Sequence, residues 1–251
     1  MKKVTKIIVG VLVCAVAVSG AIAVSYVSSV KSKEAVIPDG FTVTAHTGCE
    51  GTEDNTIEAI NAGISVGANI VEFDLNFNDD GEAFLAHDEI KENSVSLKDA
   101  FETVAKHENI CINVDCKSTK NLKVVSETAE ECGILNRIFY TGISEEDVET
   151  AKCDTPEVPY YLNTDIDKSK KNDEEYINSL IQKTKELGAV GININFGGAS
   201  EKMAELFHSQ GLKVSVWTVN STLDMHKVLA LGCDNITTRQ PKKLIEIIES
   251  K

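Results

Sequence analysis

Strand-like and helix-like segments alternate along this chain from residue 42 to residue 249, and that alternation is its most constraining feature. Alternation of this kind implies a parallel sheet whose strands are joined by crossover helices. Eight repeats of the unit favour a closed (β/α)8 TIM barrel, and an open doubly wound sheet is the alternative. The predicted strands are 42–46, 70–75, 110–116, 137–141, 158–162, 190–195, 213–218 and 234–237. The predicted helices are 55–67, 96–107, 121–133, 144–150, 173–187, 199–210, 222–231 and 241–249, and glycines follow or end several of them.

The first 30 residues are set apart by a different pattern. Three lysines, Lys2, Lys3 and Lys6, precede an uncharged run from Ile7 to Val30. Such a leader is either a signal peptide or a membrane anchor: Ala21-Ile22-Ala23 suits cleavage, whereas 24 uncharged residues would also span a bilayer. Either alternative predicts that the protein works outside the cytoplasm. The sequence therefore divides into a leader at 1–30, a linker at 31–40 and a barrel at 41–251.

The net charge limits the partners of the chain. It is −14, and would be −17 if the three leader lysines were removed. Nucleic acid and anionic membrane surfaces are therefore not expected to bind, apart from anchoring by the leader itself. A small anionic substrate would need a cation or a local basic group. The sequence leaves the oligomeric state open.

Acidic side chains share one face of the second predicted strand, in IVEFDLNFNDDGEAFLAHD at 70–88. A period of two places Glu72 and Asp74 on one face and the aromatic residues Phe73 and Phe77 on the other. Asp80-Gly81 then forms a favoured two-residue hairpin turn. With that turn, Asp74 lies opposite His87 and Phe77 lies opposite Phe84.

The return strand of this hairpin, residues 82–87, cannot be an independent barrel strand. Parallel neighbours need a crossover of a dozen or more residues, and only a turn precedes it. The second strand is therefore expected to extend beyond the barrel rim as a hairpin that brings His87 to the carboxyl-terminal face. Active sites of (β/α)8 barrels lie at that face.

Two other strand ends lead to the same rim. His46 ends the first strand, before a loop in which Asn55 is a plausible helix cap with Glu58 three residues later. Asp115 and Lys117 lie at the end of the third barrel strand and share its polar face. These side chains are therefore expected to converge with the hairpin on one mouth.

Such a group of side chains suits metal-assisted phosphodiester hydrolysis. Three carboxylates, Glu72, Asp74 and Asp115, could hold one divalent cation, and all-oxygen ligation favours Ca²⁺ or Mg²⁺ over zinc. Two histidines, His46 and His87, would provide a base for the nucleophile and an acid for the leaving oxygen, with their roles unassigned. The alternative is that this polar face of the hairpin is solvated and has no function.

Four segments resemble the glycerophosphodiester phosphodiesterase family over about residues 41–245. They are AHTGCEGTEDNTIEAI, VEFDLNFNDDGEAFLAHD, INVDCK and VSVWTVNS-x(10)-GCDNITTRQP, in that order. The resemblance implies a TIM barrel that hydrolyses glycerophosphodiesters to glycerol 3-phosphate and an alcohol. The implied roles are acid/base catalysis by His46 and His87, metal binding by Glu72, Asp74 and Asp115, and substrate binding by Lys117 and Trp217.

Two departures from the family pattern affect the substrate. An arginine that contacts phosphate usually follows the first histidine, and here that substrate-binding position is Thr47. Only 27 residues lie between His87 and Asp115, so the insertion that commonly helps to select glycerol is largely absent. The resemblance thus specifies the reaction class better than the substrate.

Three alternatives to a soluble glycerophosphodiester substrate remain. The enzyme could act on phospholipid or on a glycerol-phosphate polymer, or the barrel could be catalytically silent and serve as a surface or binding protein. A sugar-processing barrel with paired carboxylates is disfavoured, because Glu72 and Asp74 project side by side from one strand.

Overall fold

The computed structural model describes residues 25–250, and eight of its strands close into a parallel barrel. The first strand pairs with both the second and the last, which completes the closure. The strands are β1 (Thr42–Ala45), β2 (Ile70–Phe77), β3 (Ala83–Leu85), β4 (Cys111–Cys116), β5 (Ile138–Ile143), β6 (Tyr160–Asn163), β7 (Gly191–Asn195), β8 (Lys213–Trp217) and β9 (Asn235–Thr238). Only β3 lies outside the barrel, where it runs antiparallel to β2. The predicted TIM barrel is confirmed, and the doubly wound alternative is wrong.

Helices follow the barrel strands and cover the outside. They are α1 (Ile57–Ser65), α2 (Leu97–Ala105), α3 (Lys123–Glu131), α4 (Val148–Asp154), α5 (Glu174–Glu186), α6 (Glu201–His208), α7 (Thr222–Leu229) and α8 (Pro241–Glu249). The predicted segments overlap all eight, because the apolar positions recur with helical spacing and face the strands. In the described part of the chain, the segment between β3 and β4 contains one helix, α2, and no large cap.

Local signals in the sequence fix where these helices begin and end. Ser96 caps α2 and Ser221 caps α7, because each side chain accepts the backbone N–H of the third residue of its helix. Glycine ends helices where the chain turns left-handed, as at Gly133, with φ +70°. The predicted cap of α1 is wrong by one residue: Thr56, rather than Asn55, accepts the N–H of Ala59.

Apolar side chains pack between strands and helices, whereas the barrel interior is polar. Thr44 and Asn235 hydrogen-bond each other across the closing strands at 2.7–2.8 Å, and Ser215 donates to Asn193 at 2.9 Å. All four residues are buried. Inward-facing polar groups therefore satisfy one another below the mouth, and this layer supports the functional side chains above it.

The hairpin after β2 forms as predicted, but its register differs by one residue. Phe77 pairs with Ala83 rather than Phe84, and the N–H of Ala86 bonds the carbonyl of Asp74 at 3.0 Å. The loop has three residues, 79–81. The N–H of Gly81 donates to the Asn78 carbonyl and closes a tight turn, and Gly81 itself adopts a left-handed conformation with φ +83°. A three-residue loop with a left-handed glycine is the next commonest hairpin connection after the two-residue turn. The predicted pairing of Asp74 with His87 is therefore wrong.

The segment before β1 runs along the amino-terminal face of the barrel. There the N–H of Val36 donates to the carbonyl of Leu229, the last residue of α7, at 2.8 Å. Most of the predicted leader, residues 1–24, lies outside the described residues. Within residues 25–250, no helix has the length and apolar character needed to cross a membrane.

Candidate active site

A cavity of about 540 Å³ opens at the carboxyl-terminal ends of the barrel strands. Its wall contains seven of the eight residues predicted from the sequence: His46, Glu72, Asp74, His87, Asp115, Lys117 and Trp217. These side chains come from four barrel strands and the hairpin, so closure of the barrel brings them together. The eighth residue, Thr47, does not line the cavity.

The three carboxylates form a compact oxygen cluster. Glu72 and Asp74 project from β2, and Asp115 on β4 is the register partner of Asp74. One oxygen from each residue lies within 4.8 Å of the other two. Glu72 and Asp74 are nearly buried, at 5% and 4% exposure. Their geometry and hard oxygen donors fit a divalent cation.

Electrostatics supports the same interpretation. Burial raises the pKa of Glu72 well above its usual value, and the charges of Asp74 and Asp115 raise it further. The backbone N–H of Thr47 donates to Glu72 at 2.8 Å and partly offsets this effect. Crowded carboxylates of this kind are destabilising unless positive charge lies among them.

Lys117 provides part of that positive charge. Its ammonium group lies 3.0 Å from Asp74 and also bonds Asp115. Burial alone would lower the pKa of Lys117, but the two carboxylates raise it above its usual value. Lys117 is therefore a fixed cation at the edge of the carboxylate cluster.

Asn55 positions Asp74, whereas the sequence predicted that it caps a helix. Its side-chain amide donates to Asp74 at 2.8 Å, and its amide oxygen accepts the backbone N–H of Asp74 at 3.0 Å. The residue has φ +59°, a left-handed conformation that asparagine tolerates better than most residues. That conformation turns the side chain of Asn55 toward β2 rather than into the helix cap.

His46 is held in one orientation at the end of β1. Its Nδ1 lies 2.8 Å from the carbonyl oxygen of Thr47 and 3.7 Å from the Glu72 carboxylate. A carbonyl only accepts, so Nδ1 carries a proton and Nε2 is the nitrogen left for chemistry. Burial lowers the pKa of His46, the bond to Thr47 opposes that effect, and the charge of Arg239 lowers the pKa further.

His87 reaches the cavity from the hairpin and is much more exposed, with 63% of its side chain accessible. Its Nδ1 lies 3.0 Å from the Asp88 carboxylate. The backbone around it is fixed to β2, because Asn76 donates to the Asp88 carbonyl at 2.7 Å. The backbone that carries His87 therefore has a defined position at the edge of the cavity.

Thr47 has a structural position, which corrects its predicted contact with substrate. Its side chain is 3% exposed, and its hydroxyl accepts the backbone N–H of Asn55. Thr47 therefore shapes the loop after β1. The arginine that lines the cavity is Arg239, after β9. It was not predicted as a site residue, although it lies at a strand end within the family-like segment GCDNITTRQP.

Trp217 lies at the rim, where β8 ends. It is 39% exposed, although large aromatic side chains are usually mostly buried. An indole ring in that position offers a flat apolar surface at the entrance of an otherwise polar cavity.

The barrel and its cavity define a class of protein: a hydrolase with an acidic cluster suited to a metal and with two histidines at the same mouth. The family model "Glycerophosphoryl diester phosphodiesterase family" matches residues 44–127 and 91–243. The chain belongs to this family, and it is a phosphodiesterase of the glycerophosphodiester type. The predicted resemblance is thereby confirmed.

Individual relatives are distant. The uncharacterized protein YqiK of Bacillus subtilis is 24% identical over 244 residues, covering 83% of this chain and 99% of that protein. A glycerophosphodiester phosphodiesterase from Parabacteroides distasonis superposes with a TM-score of 0.68 at 17% identity, covering 84% of this chain and 98% of that chain. An Oleispira antarctica phosphodiesterase, solved with sn-glycerol-3-phosphate, gives a TM-score of 0.64 at 18% identity, covering 85% of this chain and 97% of that one.

Proposed function

We propose that this protein hydrolyses glycerophosphodiesters to glycerol 3-phosphate and an alcohol by two-histidine acid/base catalysis. The observation that carries the proposal is that His46, His87 and a compact cluster of three carboxylates line one cavity. Membership of the family supports the substrate class. The product seen in the Oleispira antarctica phosphodiesterase is the product proposed for this chain.

The proposed cofactor is one Ca²⁺ or Mg²⁺ ion held by Glu72, Asp74 and Asp115. Such an ion, when bound, supplies charge that offsets the phosphate and polarises one of its nonbridging oxygens. Asn55 and the Thr47 N–H would keep two of the three carboxylates in place. Lys117 would retain a positive charge beside the phosphate.

His46 is proposed to act first as the base. Its Nδ1 proton is held by the Thr47 carbonyl, so the neutral ring presents an unprotonated Nε2. The lowered pKa favours that neutral form near pH 7. His46 would therefore take a proton from the water molecule that attacks the phosphorus.

His87 is proposed to act as the acid. It lies on the hairpin, at the exposed side of the cavity, where a departing alcohol could leave directly to solvent. The adjacent Asp88 carboxylate, 3.0 Å from Nδ1, would orient the ring for proton transfer to the leaving oxygen. Trp217 would pack against the alcohol portion at the rim.

We also propose that the protein works outside the cytoplasm, exported or anchored by its leader. The segment that follows the leader joins the barrel at the face opposite the cavity. An anchored protein would therefore present its cavity away from its own membrane. This favours soluble diesters or a glycerol-phosphate polymer over phospholipids of that membrane.

The test is hydrolysis of a glycerophosphodiester panel with Ca²⁺, Mg²⁺ or Mn²⁺, in the presence and absence of a chelator. His46→Ala and His87→Ala should each lower kcat by about 100- to 10,000-fold. His107→Ala, at an exposed position beyond α2, is the control and should retain activity. Activity that survives both cavity substitutions would disprove the assignment of the two histidines.

The same assay separates the alternatives. Soluble diesters, phospholipid vesicles and a glycerol-phosphate polymer should be compared at equal phosphodiester concentration. Faster cleavage of the polymer would identify it as the substrate, and faster cleavage of vesicles would favour phospholipid. A protein inert toward all three with every metal would be the catalytically silent barrel.

A further inference from the structure

The cavity is rich in negative charge, although its proposed substrate is an anion. Four carboxylates line it: Asp54, Glu72, Asp74 and Asp115. The ammonium group of Lys117 is already engaged by two of them. Binding a phosphodiester therefore calls for a further donor group with positive charge.

The sequence contains only two arginines, and the structure separates them. Arg137 donates to the carbonyl oxygens of His107 and Ile110, at 2.7 and 3.0 Å, near the start of β4 and away from the cavity. Arg239 follows β9 and lines the cavity. Arg239 is thus the guanidinium available to a ligand among the described lining residues.

The backbone of Arg239 is fixed from both sides. Its N–H donates to the side chain of Asn220 at 2.8 Å, and its carbonyl accepts the N–H of Glu50 at 2.9 Å. Asn220 belongs to the loop after β8, and Glu50 to the loop after β1. The arginine is therefore attached to both neighbouring loops of the closed barrel.

The guanidinium extends over the loop that follows His46. Nη1 lies 2.6 Å from one oxygen of Asp54, and Nη2 lies 3.2 Å from the other. A Cβ atom on Gly48 would come within 2.3 Å of Nη1, so the absence of a side chain at residue 48 makes this position possible. The guanidinium therefore lies beside the loop after β1. In that loop, Thr47 occupies the position where the family usually has an arginine.

We propose that Arg239 binds the substrate phosphate, and that Asp54 positions its guanidinium for this contact. The inference rests on the proposed function and names a ligand of the same site. A guanidinium has five N–H groups, and the two bonds to Asp54 leave three for phosphate oxygens. An arginine from the last strand thereby supplies the planar donor that Thr47 does not provide.

The experiment compares Arg239→Gln and Arg239→Lys with Asp54→Asn in the metal-loaded enzyme. Asp54→Asn breaks the same ion pair but keeps the guanidinium, so it separates a phosphate-binding role from a structural one. Lys185→Gln removes one positive charge at the far end of α5, where Lys185 contacts Gln210, and serves as the charge control. The readouts are KM, kcat and the Kd for inorganic phosphate by calorimetry with Mg²⁺.

Arg239→Gln should raise both KM and the Kd for phosphate by about 10- to 100-fold, because a charged donor pair is lost. Arg239→Lys should give an intermediate value, since it keeps the charge but not the planar fork. Asp54→Asn should raise the Kd for phosphate by about threefold, a smaller loss than in Arg239→Gln, because the guanidinium stays but loses the partner that positions it. Lys185→Gln should have no effect. Equal losses in Arg239→Gln and Asp54→Asn, or no loss in Arg239→Gln, would overturn the inference.

Phosphate binding does not require turnover, so the inference and the proposed function can fail separately. A wild-type protein that cleaves no diester but loses phosphate affinity in Arg239→Gln would contradict only the proposed function. A wild-type protein that cleaves diesters with equal KM in Arg239→Gln would contradict only the role of Arg239. A wild-type protein that neither cleaves diesters nor binds phosphate would overturn both.

Discussion

Two adjacent residues in the loop after β1 have separate functions. Asn55 makes two hydrogen bonds with Asp74, whereas Thr56 caps α1. Asparagine and threonine are both common helix caps, so composition alone does not distinguish them. The left-handed backbone at Asn55 decides which side chain points toward the cavity.

Asn55→Ala should weaken divalent metal binding by about 10- to 100-fold, because a group that orients a metal ligand is lost. Calorimetric titration with Ca²⁺ or Mg²⁺ measures this effect. Thr56→Ala is the matched control: it should lower the free energy of unfolding by about 1 kcal/mol through loss of the cap and leave metal affinity nearly unchanged. If both variants lose metal affinity equally, Asn55 does not act on the metal ligand specifically.

At the scale of elements, the hairpin of β2 and β3 determines where His87 lies. Its loop residues are tied to the loop after β4, because Asn121 donates to the Gly81 carbonyl at 3.0 Å and Lys120 donates to two other carbonyls of the turn. The hairpin is therefore supported at its tip as well as along its strands. This support gives an exposed histidine a fixed place.

Gly81→Ala should destabilise the protein by about 1 kcal/mol, because alanine is disfavoured at φ +83°. It should also lower kcat, since a change of turn shifts the segment that carries His87. Gly133→Ala, at φ +70° with open space around it, imposes the same backbone cost far from the hairpin. Chemical denaturation should show a stability loss in Gly81→Ala at least as large as in Gly133→Ala, because a Cβ at residue 81 also meets the side chain of Asn121 at 3.3 Å. Steady-state kinetics should show a loss of kcat in Gly81→Ala alone. An equal kcat in both variants would contradict the role of the hairpin.

At the scale of the whole molecule, metal binding should couple to global stability. A ligand that binds only the folded state at 100 times its Kd adds about 2.7 kcal/mol. For a protein of this size that gain corresponds to a rise in Tm of about 5–10 °C. Thermal unfolding with and without a chelator measures the rise.

Glu72→Gln should abolish that rise, because it replaces a buried carboxylate ligand with an amide of the same shape. The matched control is Glu82→Gln, at an exposed position directly after the hairpin loop, which should retain the full metal-dependent rise. A metal-dependent rise that persists in Glu72→Gln would place the binding site elsewhere.

Much of this protein is determined by the sequence alone. Hydrophobic periods gave each strand and helix, and period-two alternation placed Glu72, Asp74 and Asp115 on polar faces that the structure brings to one cavity. These features depend on residues near one another in the chain, so local patterns predict them. The same patterns and the family resemblance predicted the reaction class.

Only the tertiary structure decided the remaining features. Asp-Gly suits a two-residue turn and a three-residue loop alike, and the choice between them shifted the hairpin register by one residue. Arg239 meets Asp54 across 185 positions of sequence, a contact created when β9 closes on β1. Contacts of that range follow from barrel closure, because no local propensity links the last strand to the first loop.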